Sequence, residues 1–358
     1  MNRLVFLLIL LLPAELPAYQ KGIALGLYSK DKHYSYERDL KEIKRIGADH
    51  VSLVVSWYQK DIYSNDIYPR WEADGDFETT SDKKLAEVIR QARKTGLKVF
   101  LFPILRIEVR KPQEWRGNIV PRDRNQWLKN YRNFTLHYAR LAAKHGVDLF
   151  SVGSELCSME NELKYWGDLI AEIRSFYRGK LLYSANWDHY KKIGFWNDLD
   201  FLGLNGYYEL TNHPEPTIEE LLRKWWEIDN ELAGWQEQRR KKIIFTEIGY
   251  PSIDGACHKP WDYTRETGID LKEQALCYEA FFLTWGKSRK LGGVYFWNWY
   301  GQGGENDRSY TPRGKPAEKV LIKWFQNPSI PSSLPPFFSS PAAAPSKTAT
   351  FQAALFPF

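Results

Sequence analysis

Residues 150–159 read FSVGSELCSM. With Leu149 before it, the segment opens as an apolar run and then stops at Gly153, Ser154 and Glu155. A continuous rather than alternating apolar run predicts a strand buried on both faces. A carboxylate delivered by such a strand is costly to bury unless it is hydrogen-bonded or performs chemistry. Residues 243–252, IIFTEIGYPS, repeat the arrangement, with Ile243, Ile244 and Phe245 leading to Glu247.

Around these two runs a cadence repeats from about residue 22 to 325. A helical pattern ends in Gly, a polar or charged residue follows, and a short apolar run comes next. RIGADHVSLVV, KTGLKVFLF, KHGVDLFSV, YRGKLLYSA and KLGGVYFW obey it, while RRKKIIFT keeps the rhythm without the Gly. Gly is expected just past a helix end because the chain there often turns left-handed. Leu85, Val88, Ile89 and Ala92 have helical spacing between Ser81 and Gly96, as do Leu163, Trp166, Ile170 and Ile173 before Gly179. Apolar runs lie near Ile23, Val51, Val99, Leu149, Leu181, Phe201, Ile243 and Val294. Eight strand–helix units over this length predict an α/β fold of the (β/α)₈ TIM barrel type, in a single catalytic domain at 19–326. A doubly wound sheet is the alternative, but no Gly-rich phosphate loop follows the first strand.

The links after strands two, three and seven are long, about 57–80, 106–124 and 248–268. In a barrel those links gather at the mouth formed by the strand C-terminal ends, where sites are built. Fifteen Trp and twenty-one Tyr suit the apolar C–H faces of sugar rings as well as a core. The formal net charge of +6 is spread along the chain, so no nucleic-acid footprint is expected. QRRKKIIF places cations at a helix end, where the dipole favours them. No Cys/His spacing resembles a zinc site, nothing enforces calcium geometry at Glu305, Asn306 and Asp307, and neither metal nor cofactor is predicted.

The first eighteen residues, MNRLVFLLILLLPAELPA, read as an export signal with Arg3 in the n-region and cleavage after Ala18. An uncleaved anchor is the competing reading. The expected protein is therefore secreted or periplasmic, monomeric, and without stable membrane insertion after cleavage. Of Cys157, Cys257 and Cys277, an oxidising compartment permits one disulfide, and the sequence does not choose the pair. Asn133 begins an NFT sequon but falls in a predicted helix. Residues 327–358, rich in Pro, Ser and Ala, are expected to be a disordered tail.

In a barrel, Glu155 ends strand four and Glu247 ends strand seven, so both face one mouth. Two carboxyls there are what glycosidic cleavage requires: one protonated to donate to the leaving oxygen, one ionised to attack the anomeric carbon or activate water. A structural pairing of either one with Arg106 or Arg110 is the competing reading. VGSEL and IIFTEIGYPS resemble glycoside hydrolase family 113, as do DLDFLGLNGYYEL after strand six and GGVYFWNW at strand eight. The resemblance runs from about Gly22 to Phe325. It implies a retaining hydrolase, chiefly an endo-β-1,4-mannanase, with Glu247 as nucleophile and Glu155 as acid/base. Retention predicts a carboxyl separation of roughly 5–5.5 Å, and the acid must keep its proton near neutral pH.

One position departs from the wider clan, which has Asn directly before the acid/base to hold the sugar 2-hydroxyl. Here Ser154 occupies it, and Asn186 in YSANW is a candidate for the missing contact. Tyr207 is a candidate to orient Glu247, Trp297 and Trp57 to form sugar platforms, Arg106 to hold a carboxylate, and Asn205 to bind sugar. Trp71, Trp115 and Trp261 lie in the long links and are candidates for outer subsites. The missing Asn also motivates a second reading, a barrel of the cell envelope that binds glycan without cutting it. A hydrolase of a different β-glycoside, or an exo-acting one, is the third. In each case the partner is a β-linked glycan.

Overall fold

A computed structural model describes residues 19–29, 31, 33–70 and 79–327. The export segment, Trp71 and the Pro-rich tail beyond residue 327 lie outside the described residues. Eight strands form, each at one of the expected runs: β1 (Gln20–Gly26), β2 (His50–Gln59), β3 (Lys98–Ile107), β4 (Leu149–Ser154), β5 (Lys180–Asn186), β6 (Leu202–Asn205), β7 (Ile243–Ile248) and β8 (Leu291–Phe296). They pair in chain order, and β8 pairs parallel with β1 to close the barrel. The predicted (β/α)₈ architecture is the one observed.

The continuous apolar runs serve two cores at once. Along β2, Val51, Leu53 and Val55 face the helical layer, whereas Val54 faces the barrel axis. Along β3, Val99, Leu101 and Leu105 pack outward and Phe100, Phe102 and Ile104 inward. Side chains alternate across a strand, so a strand covered on both sides needs apolar residues at every position.

The helices are α1 (Glu37–Arg45), α2 (Asp82–Lys94), α3 (Arg124–Lys144), α4 (Leu163–Phe176), α5 (Ile218–Arg239), α6 (Leu271–Trp285) and α7 (Pro316–Gln326). Ser81, Asp123, Thr217 and Asp270 each cap a helix N-terminus by accepting from backbone N–H groups of the first turn. Gly47, Gly96 and Gly146 follow α1, α2 and α3 with positive φ, as the cadence predicts. Where the cadence lacks Gly, Arg240 itself takes the left-handed conformation, with φ of 52°. Asn133 lies within α3, and Leu163, counted in the apolar face, is exposed at the start of α4.

The expectation of eight strand–helix units fails at one place. Among the described residues no α-helix joins β5 to β6; that link holds two 3₁₀ turns, Tyr190–Lys192 and Trp196–Asp198. Gly194 interrupts the short link, and buried rings fill the space a helix would occupy. Phe195 stacks on Trp166, while Tyr190 and Trp196 pack edge-on against Trp235. No helix among the described residues is long and apolar enough to cross a membrane.

The disulfide left open by the sequence joins Cys257 to Cys277, and Cys157 is free. It ties the long β7–α6 link to α6. Glu273 reinforces the tie by accepting from the N–H groups of Gly255 and Cys257 at 2.7 and 2.8 Å. Closing a loop with a sequence separation of 20 restricts the unfolded chain. Cys277→Ser is expected to lower unfolding stability by about 3 kcal/mol, measured by chemical denaturation under non-reducing conditions.

Candidate active site

Both glutamates sit where strand pairing is irregular. The β4–β5 register shifts between Ser151 and Ser154, directly before Glu155. β7 breaks register with β6 at Asn205 and with β8 between Phe245 and Ile248, around Glu247. Such irregularities re-aim side chains next to sites. Glu155 has a φ of 53°, in the left-handed region. For a residue with a Cβ this conformation costs on the order of 1–2 kcal/mol, so its surroundings must impose it. They do so through two bonds: Glu155 N–H donates to Ser184 O at 2.9 Å, and Leu156 N–H donates to Tyr183 Oη at 2.8 Å.

Glu247 is buried and accepts two hydrogen bonds. Tyr207 Oη donates to Oε2 at 2.8 Å, and Asn205 Nδ2 donates to Oε1 at 3.3 Å. Asn205 is itself oriented by Thr246 Oγ1, which donates to Oδ1 at 2.8 Å. The partner of Glu155 is neither Arg106 nor Arg110 but Arg116, whose Nη2 lies 2.6 Å from Oε2. Arg106 instead donates from Nε to Ser56 Oγ at 3.1 Å and lies over the Tyr28 ring, close enough to Glu247 to favour its charge.

Burial, and next the Glu155 carboxylate, push the Glu247 pKa up to about 7. Arg116, the Tyr207 hydroxyl and Arg106 oppose that rise. The raised carboxyl is thus Glu247, the group read from the sequence as the nucleophile.

Glu155 and Glu247 border one cleft of about 800 Å³ at the strand C-terminal mouth. Of the other predicted residues, Arg106, Asn186, Tyr207 and Trp297 line it, and so do Trp115 and Trp261 from the long links. Three predicted contacts do not reach it. Trp57 belongs to the outward set of β2 and packs on Phe134, His137 and Tyr138 of α3, while its neighbour Tyr58 faces the cleft. The two-residue alternation of a strand decides this. Ser154 and Asn205 are buried beneath the site, with Asn205 Nδ2 3.3 Å from Ser154 Oγ. They support Glu247 from below and do not line the cleft.

The sequence reading missed Arg116, Trp187 and Tyr310. Trp187 had a usable signal, since it follows Asn186 at the end of a strand; it stacks on Trp261 with centroids 5.9 Å apart. Arg116 had none, because its partner is distant in the chain. Asp307 holds no ligand site open; it pairs with buried Lys315 at 2.9 Å.

The model of glycoside hydrolase family 113 matches residues 24–315. Among solved structures, a family 113 β-1,4-mannanase described as a complex is 25% identical, with a TM-score of 0.73, covering 86% of this chain and 99% of that one. The family 113 β-mannanase of Alicyclobacillus acidocaldarius, in complex with ManMIm, is 26% identical, with a TM-score of 0.74 and coverage of 87% and 98%. A β-glucuronidase from Ruminococcus gnavus, 15% identical with a TM-score of 0.59 over 86% of this chain and 50% of that one, shares the fold. No curated protein sequence matches the chain.

The raised carboxyl makes a stability prediction. Between the ordinary value of 4.5 and about 7 the folded state binds more protons at Glu247 than the unfolded state does. Stability therefore falls as pH rises through that window. Glu247→Gln removes the titration, so its melting temperature relative to wild type is expected to be higher above pH 7 than below pH 4.5. Thermal melts across this range check it.

Proposed function

The chain belongs to glycoside hydrolase family 113, and we propose that within it the protein is a retaining, endo-acting β-mannanase that cleaves β-1,4-mannan by double displacement. The observation that carries the reading is the pairing of Glu155 and Glu247 across one cleft, each held by its own partners. The mannanase character of two similar solved structures supports the choice of substrate.

Glu247 is the nucleophile. Tyr207 and Asn205 donate to its two oxygens and so favour the carboxylate and fix its direction. As it bonds to the anomeric carbon, the glycosidic C–O bond breaks and Glu155 delivers its proton to the departing oxygen. Attack neutralises Glu247, which removes the negative charge facing Glu155 and leaves Glu155 ready to act as base. Glu155 then takes a proton from water, the water oxygen bonds to the anomeric carbon, and Glu247 leaves as a carboxylate. Trp297 is the platform for the sugar at the cleavage point. Asn186, bordering the cleft, is the residue that answers for the small Ser154. The export segment and the Cys257–Cys277 disulfide support action outside the cytoplasm.

Glu247→Gln is expected to lose at least about 10³-fold in release of reducing ends from β-1,4-mannan while keeping its fold. Glu155→Gln should lose about 10²–10⁴-fold on the polymer yet still react with a dinitrophenyl glycoside, whose leaving group needs no proton. Glu247→Gln retaining most of its activity would sink the assignment. Oligosaccharide binding of equal affinity in wild type and Glu155→Gln, with no reducing ends released, would return the reading to a non-catalytic barrel. Proton NMR of the first-formed product anomer tests retention.

A further inference from the structure

Glu155 meets opposite charges on two sides. On the cleft side is Arg116, in the 3₁₀ turn Arg116–Asn118. That turn is tied down: Trp115 N–H donates to Asn118 Oδ1 at 2.9 Å, and Ser158 Oγ donates to Ile119 O at 2.7 Å. The second bond fastens it to the 3₁₀ turn Cys157–Met159, which follows Glu155 after Leu156. The guanidinium is therefore placed by the same backbone that presents the carboxyl.

On the protein side is Glu160, 1% exposed. Its Oε1 accepts from Tyr183 Oη at 2.8 Å, and its Oε2 has no hydrogen-bond partner among the described residues. Tyr183 Oη in turn accepts the Leu156 N–H at 2.8 Å. A buried carboxyl with a bare oxygen is a poor structural tie. Through one tyrosine it nevertheless reaches the backbone immediately after Glu155.

We propose that Arg116 and Glu160 are positioning residues that set, in opposite directions, how tightly Glu155 holds its proton. The proposal rests on the reading of Glu155 as acid/base. The two half-reactions ask for opposite behaviour from one carboxyl. A cation alone would strip the proton before it could be donated; anions alone would hold it through the step in which Glu155 must act as base. Other charged or titratable groups near Glu155 are Glu247 of β7, Tyr207 after β6 and Cys157 of the following turn; Asp188 and His189 of the β5–β6 link act on Glu160. Burial pushes Glu160 up to about 7, against Tyr183 and His189. Its negative charge thus develops as pH rises through neutrality.

The test is carbon-13 NMR titration of glutamate carboxyls in the full chain, with Glu155 assigned by Glu155→Gln, together with the pH profile of kcat/KM on a β-1,4-manno-oligosaccharide. In Arg116→Gln the Glu155 midpoint and the basic limb of the profile should rise by about one pH unit, and Arg116→Lys should restore most of the difference. In Glu160→Gln, which keeps the shape and the bond from Tyr183, both should fall by about half a unit to one unit above neutrality. Loss of structure alone would not move the two variants in opposite directions. An unmoved or lowered midpoint in Arg116→Gln overturns the proposal whether or not Glu160→Gln folds. An unmoved or raised midpoint in folded Glu160→Gln overturns it equally. Failure of the underlying reading shows differently, as polymer activity surviving in Glu155→Gln.

Discussion

Two carboxyls share one desolvated cleft, and that costs free energy whichever way it is arranged. Burial disfavours each charge, and each charge disfavours the other. The molecule answers with an unequal set of partners. Glu247 receives a phenol and an amide, both neutral donors. Glu155 receives a guanidinium. Neutral donors fix the direction of a carboxyl without adding a charge beside it. The buried carboxyl of Glu160 reaches the backbone after Glu155 through Tyr183.

The rest of the barrel can be understood as what holds this arrangement still. A closed sheet with apolar residues on both faces gives eight rigid strand ends around one mouth. Register breaks lie directly before Glu155 at the end of β4 and around Glu247 in β7, where the strands reach the mouth. The left-handed backbone at Glu155 persists because Tyr183 and Ser184 of β5 bond the peptide groups on either side of it. Farther out, the disulfide and Glu273 fasten the β7–α6 link, which carries Trp261 against Trp187 on the cleft wall. Strain at the centre and tethering at the rim are parts of one solution.

Much of this was legible in the chain alone, for identifiable reasons. Local periodicity and helix-end glycines are short-range signals, and the eight runs with their intervening helices need nothing more to be recognised. A carboxylate ending an apolar run is also a local signal, which is why Glu155 and Glu247 stood out, and Tyr207 with them. Family resemblance then supplied roles that spacing could not. The absent helix after β5 was missed because a Gly in a short aromatic link does not distinguish a broken helix from two 3₁₀ turns until the buried rings are seen to fill the space.

By itself, then, the sequence determined the barrel, the mouth that holds the site and the two glutamates, because each is encoded within a few consecutive residues. Only the tertiary structure decided which side of β2 Trp57 faces, that Ser154 and Asn205 lie under the site rather than in it, and that Cys257 pairs with Cys277. It alone brought Arg116 to Glu155 across 39 positions and Glu160 to Tyr183 across 23. Charge–charge contacts act through space and leave no periodic trace in the chain, so the partners of the site's carboxyls become visible only once the barrel has closed.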